Sequence, residues 1–170
     1  MQLFDKRRGE RGQSLTEMAL TLPILMLLVM GIMDFGRMLF IYSQVSNAAR
    51  EGARWGSVTG VVPQGTDPHF VDCDGIRQAV VSRFATVLDI TDEDIKIHYD
   101  DGATQYGFNC NSGNPASSLI RQGDRIIVTV EGEFEFLTPG VSSFVPSMHV
   151  SFTAARTIMR GGNRAEPPIG

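Results

Sequence analysis

Between Met18 and Met33 the chain carries no charged residue, and this run limits the possible folds more than any other feature. It is about 16 residues long, or roughly 24 Å of helix at ~1.5 Å per residue. A bilayer hydrocarbon core of about 30 Å asks for about 20 such residues. The run therefore reaches spanning length only if residues 15–17 on one side, or 34–42 on the other, lie at membrane depth. Lys6, Arg7, Arg8 and Arg11 precede it, and most of the acids follow it. The positive-inside rule then places the N-terminus in the cytoplasm and the C-terminal part on the exported side. A secretory signal peptide has an apolar core of about 7–15 residues, followed closely by a small-residue cleavage site. Here the run is longer, Asp34 and Arg37 come first, and Ala48-Ala49 lies in a helical pattern.

Both flanks of the run carry charge. Glu17 sits at its inner edge, where a carboxylate is costly unless paired. If the chain is cut between Gly12 and Gln13, a cationic amine arises at Gln13. The amine of a neighbouring, axially shifted subunit can then neutralise Glu17. The other reading is an ordinary signal anchor in which Gly12 and Glu17 fall by chance. On the far side Asp34 and Arg37 are spaced i, i+3 and share a helix face. They form either an interfacial salt bridge or a contact with a neighbouring subunit or an assembly platform. Pro23 lies inside the helix and is expected to bend it, because it removes one backbone hydrogen bond.

Beyond Tyr42 the pattern becomes amphipathic. Ala48, Gly52 and Gly56 recur four residues apart, a stripe of small side chains that lets another backbone approach closely. The stripe is expected to face the sheet of its own domain, with a neighbouring helix as the alternative. Trp55 belongs either to the core or to the membrane surface. Residues 57–70, with Gly60, Pro63, Gly65 and Pro68, read as a linker. Asp72 or Asp74 then caps a second helix, whose apolar face is Ile76, Val80, Phe84, Val87 and Leu88 and which ends near residues 89–92. Ile95, Ile97 and Tyr99 alternate with Lys96 and His98 as a short strand. Residues 100–123 read as a long loop. Ile126, Val128, Val130, Phe134 and Phe136 share one parity and define a strand with a bulge suggested at Gly132. Met148, Val150, Phe152 and Ala154 define the last strand, antiparallel to it. The tail from Gly161 reads as disordered, and residues 1–11 as an unstructured leader.

Composition narrows the function. The chain has 170 residues and a net charge of −4, which gives no reason to expect nucleic acid as a partner. Cys73 and Cys110 both fall on the exported side, where one disulfide is the simple reading and two free thiols the other. His69, His98 and His149 are scattered. His69, Asp72, Cys73 and Asp74 do not have the spacing of a zinc site, and Asp92-Glu93-Asp94 and Asp100-Asp101 lack that of a calcium loop. There is no phosphate loop or nucleophile elbow. No metal, cofactor or enzymatic activity is expected.

Three ordered blocks narrow it further: Arg11-Gly12-Gln13-Ser14-Leu15-Thr16-Glu17-Met18-Ala19-Leu20-Thr21-Leu22-Pro23, then Gly31-Ile32-Met33-Asp34-Phe35-Gly36-Arg37, then Asn47-Ala48-Ala49-Arg50-Glu51-Gly52-Ala53-Arg54. Their succession resembles the TadE-like family, the pseudopilin-like proteins of tight-adherence (Flp) pilus assembly. The resemblance is close over residues 11–57 and holds only in outline beyond. It implies cleavage by a prepilin peptidase after Gly12, and other pseudopilins and a pilus assembly platform as partners beside membrane lipid. The fold expected is α+β and pilin-like. It comprises a leader (1–12), a long helix (13–57) spanning the membrane at about 18–42, an exported domain (58–160) and a tail (161–170). The domain holds a second helix and a small antiparallel sheet of about three strands. The chief alternative is an uncleaved single-pass membrane protein with an exported binding domain.

Overall fold

A computed structural model describes residues 6–62, 67–83, 90–138 and 141–159. Its first element is one continuous helix, α1, Lys6–Ser57, with Pro23 inside it. The expectation of an unstructured stretch through Arg11 and a helix start near Gln13 or Ser14 is corrected for residues 6–11, which are helical; residues 1–5 lie outside the described residues. Extending a formed helix adds a hydrogen bond per residue with no new nucleation cost, and Lys, Arg and Glu are good helix formers. The expected disordered tail lies outside the described residues.

The chain divides into two compact units. One comprises the chain up to Leu39 together with Glu135–Met148, and the other comprises Phe40–Phe134 with the chain from His149 onward. In the first unit α1 presents an apolar, exposed surface from Leu15 to Met33. Its second segment includes a four-residue helical turn, Val141–Phe144.

The second unit is α+β. Its helix α2, Cys73–Val81, is capped by Asp72, whose side chain accepts from the Gly75 N–H at 3.1 Å. Ile76 and Val80 are its buried apolar positions. Val81 ends it, short of the expected end near residues 89–92; Phe84, Val87 and Leu88 lie outside the described residues. Four strands follow: β1, Ile95–Asp100; β2, Gln105–Asn109; β3, Arg125–Glu135; and β4, Ser147–Thr157. They are ordered β2-β1-β3-β4. β1 and β3 pair antiparallel with Ile97 opposite Val128 and Tyr99 opposite Ile126. The fourth strand, β2, corrects the expected count of three. It lies in the first half of the segment read as a loop and pairs antiparallel with β1 through an irregular register. Its inward pattern is only Tyr106 and Phe108, too short to stand out among polar neighbours.

Strand periodicity builds the core. Ile95, Ile97 and Tyr99 of β1, and Ile126, Val128, Val130 and Phe134 of β3, are buried. The inward parity of β3 runs unbroken through Gly132, so no bulge there reverses its faces. Val150 and Ala154 of β4 are also buried. On the opposite face the Thr129 and Thr153 hydroxyls meet at 2.8 Å, tying β3 to β4. Ile41, Val45, Ala48, Ala49 and Ala53 complete the core from α1.

Candidate functional site

The site residues read from the sequence fall into groups with different surroundings. Around Gly12, Gln13 and Glu17 the helix is exposed, and a Cβ built on Gly12 meets open space. The Glu17 carboxylate has no hydrogen-bond or ion-pair partner among the described residues. The Thr21 hydroxyl bonds back to the Glu17 and Met18 carbonyls at 3.0 and 3.2 Å. Pro23 follows on the same exposed stretch. α1 is long and apolar enough to cross a membrane, and only 6% of its most apolar window is buried. A core helix of a soluble domain would instead be mostly buried.

Asp34 differs sharply, being only 4% exposed. Its carboxylate accepts from the Leu137 N–H at 3.3 Å, the Thr138 N–H at 2.9 Å and the Thr138 hydroxyl at 2.6 Å. Arg37 approaches at 3.3 Å. The sequence offered Arg37 as its partner, but the chief donors come from about a hundred residues further on. No local spacing rule could have named Thr138. Gly36 is exposed, and a Cβ there would meet nothing, so intrachain packing does not require glycine at that position.

The small-residue stripe lies inside the second unit, against both α2 and β3. A Cβ on Gly52 would sit 2.5 Å from Val80 Cγ2 and 3.3 Å from Val128 Cγ1. On Gly56 it would collide with Ile126 Cδ1 and lie 3.2 Å from Ile76 Cδ1. The isoleucine tip can rotate away, whereas the Val80 methyl cannot. Gly52→Ala is therefore expected to be the more harmful change. Overpacking costs about 1–3 kcal/mol, and the gain in helix propensity offsets up to ~1 kcal/mol of it. A fall in the denaturation midpoint that is larger for Gly52→Ala than for Gly56→Ala is the expected measurement.

Cys73 and Cys110 are joined, with their Cα atoms 5.6 Å apart. The bridge links the first residue of α2 to the turn after β2. Arg77 donates to the Cys110 carbonyl at 2.8 Å, and Asn114 Oδ1 accepts from the Cys73 N–H at 3.2 Å. Beneath it the buried Tyr99 hydroxyl donates to the Phe70 carbonyl at 2.7 Å, and burial pushes its ionisation up. Cys73 thus offers no thiolate to a metal, and His69 is buried edge-on against Trp55 at 4.8 Å. At the end of β1, Arg125 grips Asp100 through two 2.7 Å hydrogen bonds and holds its carboxyl below the usual range.

One further feature escaped the sequence reading. A cleft of about 560 Å³ is lined by Gln44, Asn47, Arg50, Glu51, Arg54, Ser82, Arg83 and Arg156. Glu51 is held ionised chiefly by hydrogen bonds from Arg54 and also by Arg83. Arg50 stacks over Phe152 at 5.4 Å. These arginines come from three separate segments, so only the fold brings them together.

The exposed apolar helix, its unpartnered acid and its small-residue continuation form an ordered series from Gly12 to Arg54. The sequence model describing TadE-like proteins matches over the same stretch, residues 12–54. Residues 12–54 are TadE-like. No curated protein and no solved structure matches the chain. The TadE-like segment contains Gly12, Gln13, Glu17, Pro23, Asp34, Gly36, Arg37, Ala48 and Gly52. Gly56, the disulfide and the Thr138 partner of Asp34 lie beyond it. The TadE-like segment therefore depends on later parts of the chain both to satisfy its second acid and to cover its stripe.

Proposed function

We propose that the protein is a membrane-anchored pseudopilin that takes part in biogenesis of a tight-adherence, type IV-like (Flp) pilus. In this reading a prepilin peptidase cuts after Gly12, and the chain stays in the inner membrane with its N-terminus cytoplasmic and its second unit exported. The single observation that carries it is a TadE-like match that opens at Gly12, on a helix whose apolar surface is left uncovered by the described residues.

The mechanism is physical and not enzymatic. Cleavage makes Gln13 the mature N-terminus and leaves Glu17 as its fifth residue. A carboxylate in a poor solvent requires a partner, and the chain supplies none among its described residues. The Gln13 amine of an axially shifted pseudopilin can supply it, setting the register of neighbouring helices. The exposed apolar surface keeps the subunit in lipid until other pseudopilins and the assembly platform take it up.

Glu17→Ala tests this reading. The variant is expected to stay in the membrane fraction while surface pili fall about tenfold or more. Losing one ion pair in a low-dielectric setting exceeds the ~1.4 kcal/mol that a tenfold change requires. Glu17→Gln, with the same shape and no charge, should behave alike. Unchanged piliation in both would make Glu17 incidental.

A further inference from the structure

The segment that Asp34 holds is itself unusual. Residues 136–148 contain no charged side chain. Within a small first unit, Leu137 is 67% exposed and Val145 43%, and Val141 and Met148 are also exposed. Apolar side chains exposed together in a charge-free segment mark a candidate interaction surface. Its attachment point is also specific, because three of the four contacts to the Asp34 carboxylate come from Leu137 and Thr138. Asp34 is the first charged residue after the apolar run.

We infer that residues 136–138 and 141–148 contribute to a membrane-interface element, in which Leu137, Val141 and Val145 rest in the headgroup and upper acyl region of the bilayer. The occupant of this surface is lipid. Continuity with the apolar run of α1 points to lipid. The segment is pinned to α1 at the first charged residue after the exposed apolar run, and no charge separates Met18 from that point. The same attachment also accounts for the helix length. Residues 18–33 fall short of a bilayer by about four residues, whereas 18–37 make about 20 residues and roughly 30 Å. That extension places Asp34 at the edge of the hydrocarbon, where an ionised carboxylate is costly unless paired. Leu137 and Thr138 supply the hydrogen bonds, and Arg37 is long enough to send its guanidinium outward to the headgroups. The loop thus shields the acid and adds apolar area beside the helix, as interfacial segments do. The inference rests on α1 being a membrane anchor. It does not require cleavage after Gly12 or entry into a pilus.

The test uses the full chain in phosphatidylcholine vesicles. A small fluorescent amino acid is placed singly at Leu137, Val145, Leu25 or Leu119, all exposed positions. Quenchers are attached to the lipid at shallow or deep positions, and iodide serves as the aqueous quencher. The expected result is loss of emission at 137 and 145 with shallow quenchers and at 25 with deep ones. Position 119 should respond to iodide alone. Should 25 be quenched by lipid while 137 and 145 respond only to iodide, the loop inference is overturned and the anchor stands. Should 25 also respond only to iodide, both fail. If 137 and 145 are shielded from iodide without lipid quenching, and the shielding fades as protein is diluted in the vesicles, a second copy covers the loop and the inference is again overturned.

Discussion

Replacing Cys73 and Cys110 together by serine is expected to lower the unfolding free energy of the second unit by about 4 kcal/mol. The bridge joins residues 37 apart, and on the chain-entropy account a loop of that size restrains the unfolded chain by this amount. For a unit of this size the loss corresponds to a fall in Tm of roughly 10–20 °C. The native fold should nevertheless be reached. Arg77 still reaches the carbonyl of residue 110, Asn114 still accepts from the amide of residue 73, and Tyr99 still anchors to Phe70. Thermal melts of the full chain in detergent, with and without reductant, check this. The native protein should drop to the melting temperature of the variant when reduced, and the variant should not respond. A drop of only a degree or two would mean that these non-covalent contacts hold the segment unaided.

The second large effect is expected at Asp34. Asp34→Ala leaves the Leu137 and Thr138 amides and the Thr138 hydroxyl without their acceptor. Thr138 is buried, so water does not replace the carboxylate at no cost, and a buried donor without a partner is strongly disfavoured. The result should be local opening of the segment around 137–138, with exchange of those two amides faster by roughly tenfold to a hundredfold. Asp34→Asn keeps one side-chain carbonyl as an acceptor and should fall between the two. The amides of Ile97 and Val128, in the second unit, should be unchanged in both variants. Equal exchange at 137 and 138 in native and variant chains would show that the segment is held by something other than this carboxylate.

The contrast between these two sites shows what a sequence can reveal. The strands β1, β3 and β4 were legible because alternation over five to a dozen residues is a local signal that burial of one sheet face requires. The long helix was legible for the same reason, since no charge interrupts its apolar run. The stripe at Ala48, Gly52 and Gly56 was visible as spacing, but its partner was only half seen. The fold sets it against Val80 of α2 as well as against β3. β2 was missed because Gln105, Gly107 and Asn109 dilute its two aromatic residues. The helix begins earlier than its basic first residues suggest, because charged residues extend a helix readily. The role of Asp34 was the least legible. Its local neighbour Arg37 drew attention, while its strongest donor lies 104 residues away. The arginine cleft was hidden for the same reason, as Arg83 and Arg156 meet Arg50 only through the fold.

The central claim is that a short basic leader is removed and a membrane helix with a partner-seeking acid remains. Intact-mass measurement of the protein purified from membranes of a host that carries the prepilin peptidase tests it most directly. The account predicts a chain that begins at Gln13 in that host and at Met1 when the peptidase is absent. A chain that begins at Met1 in both hosts would contradict it.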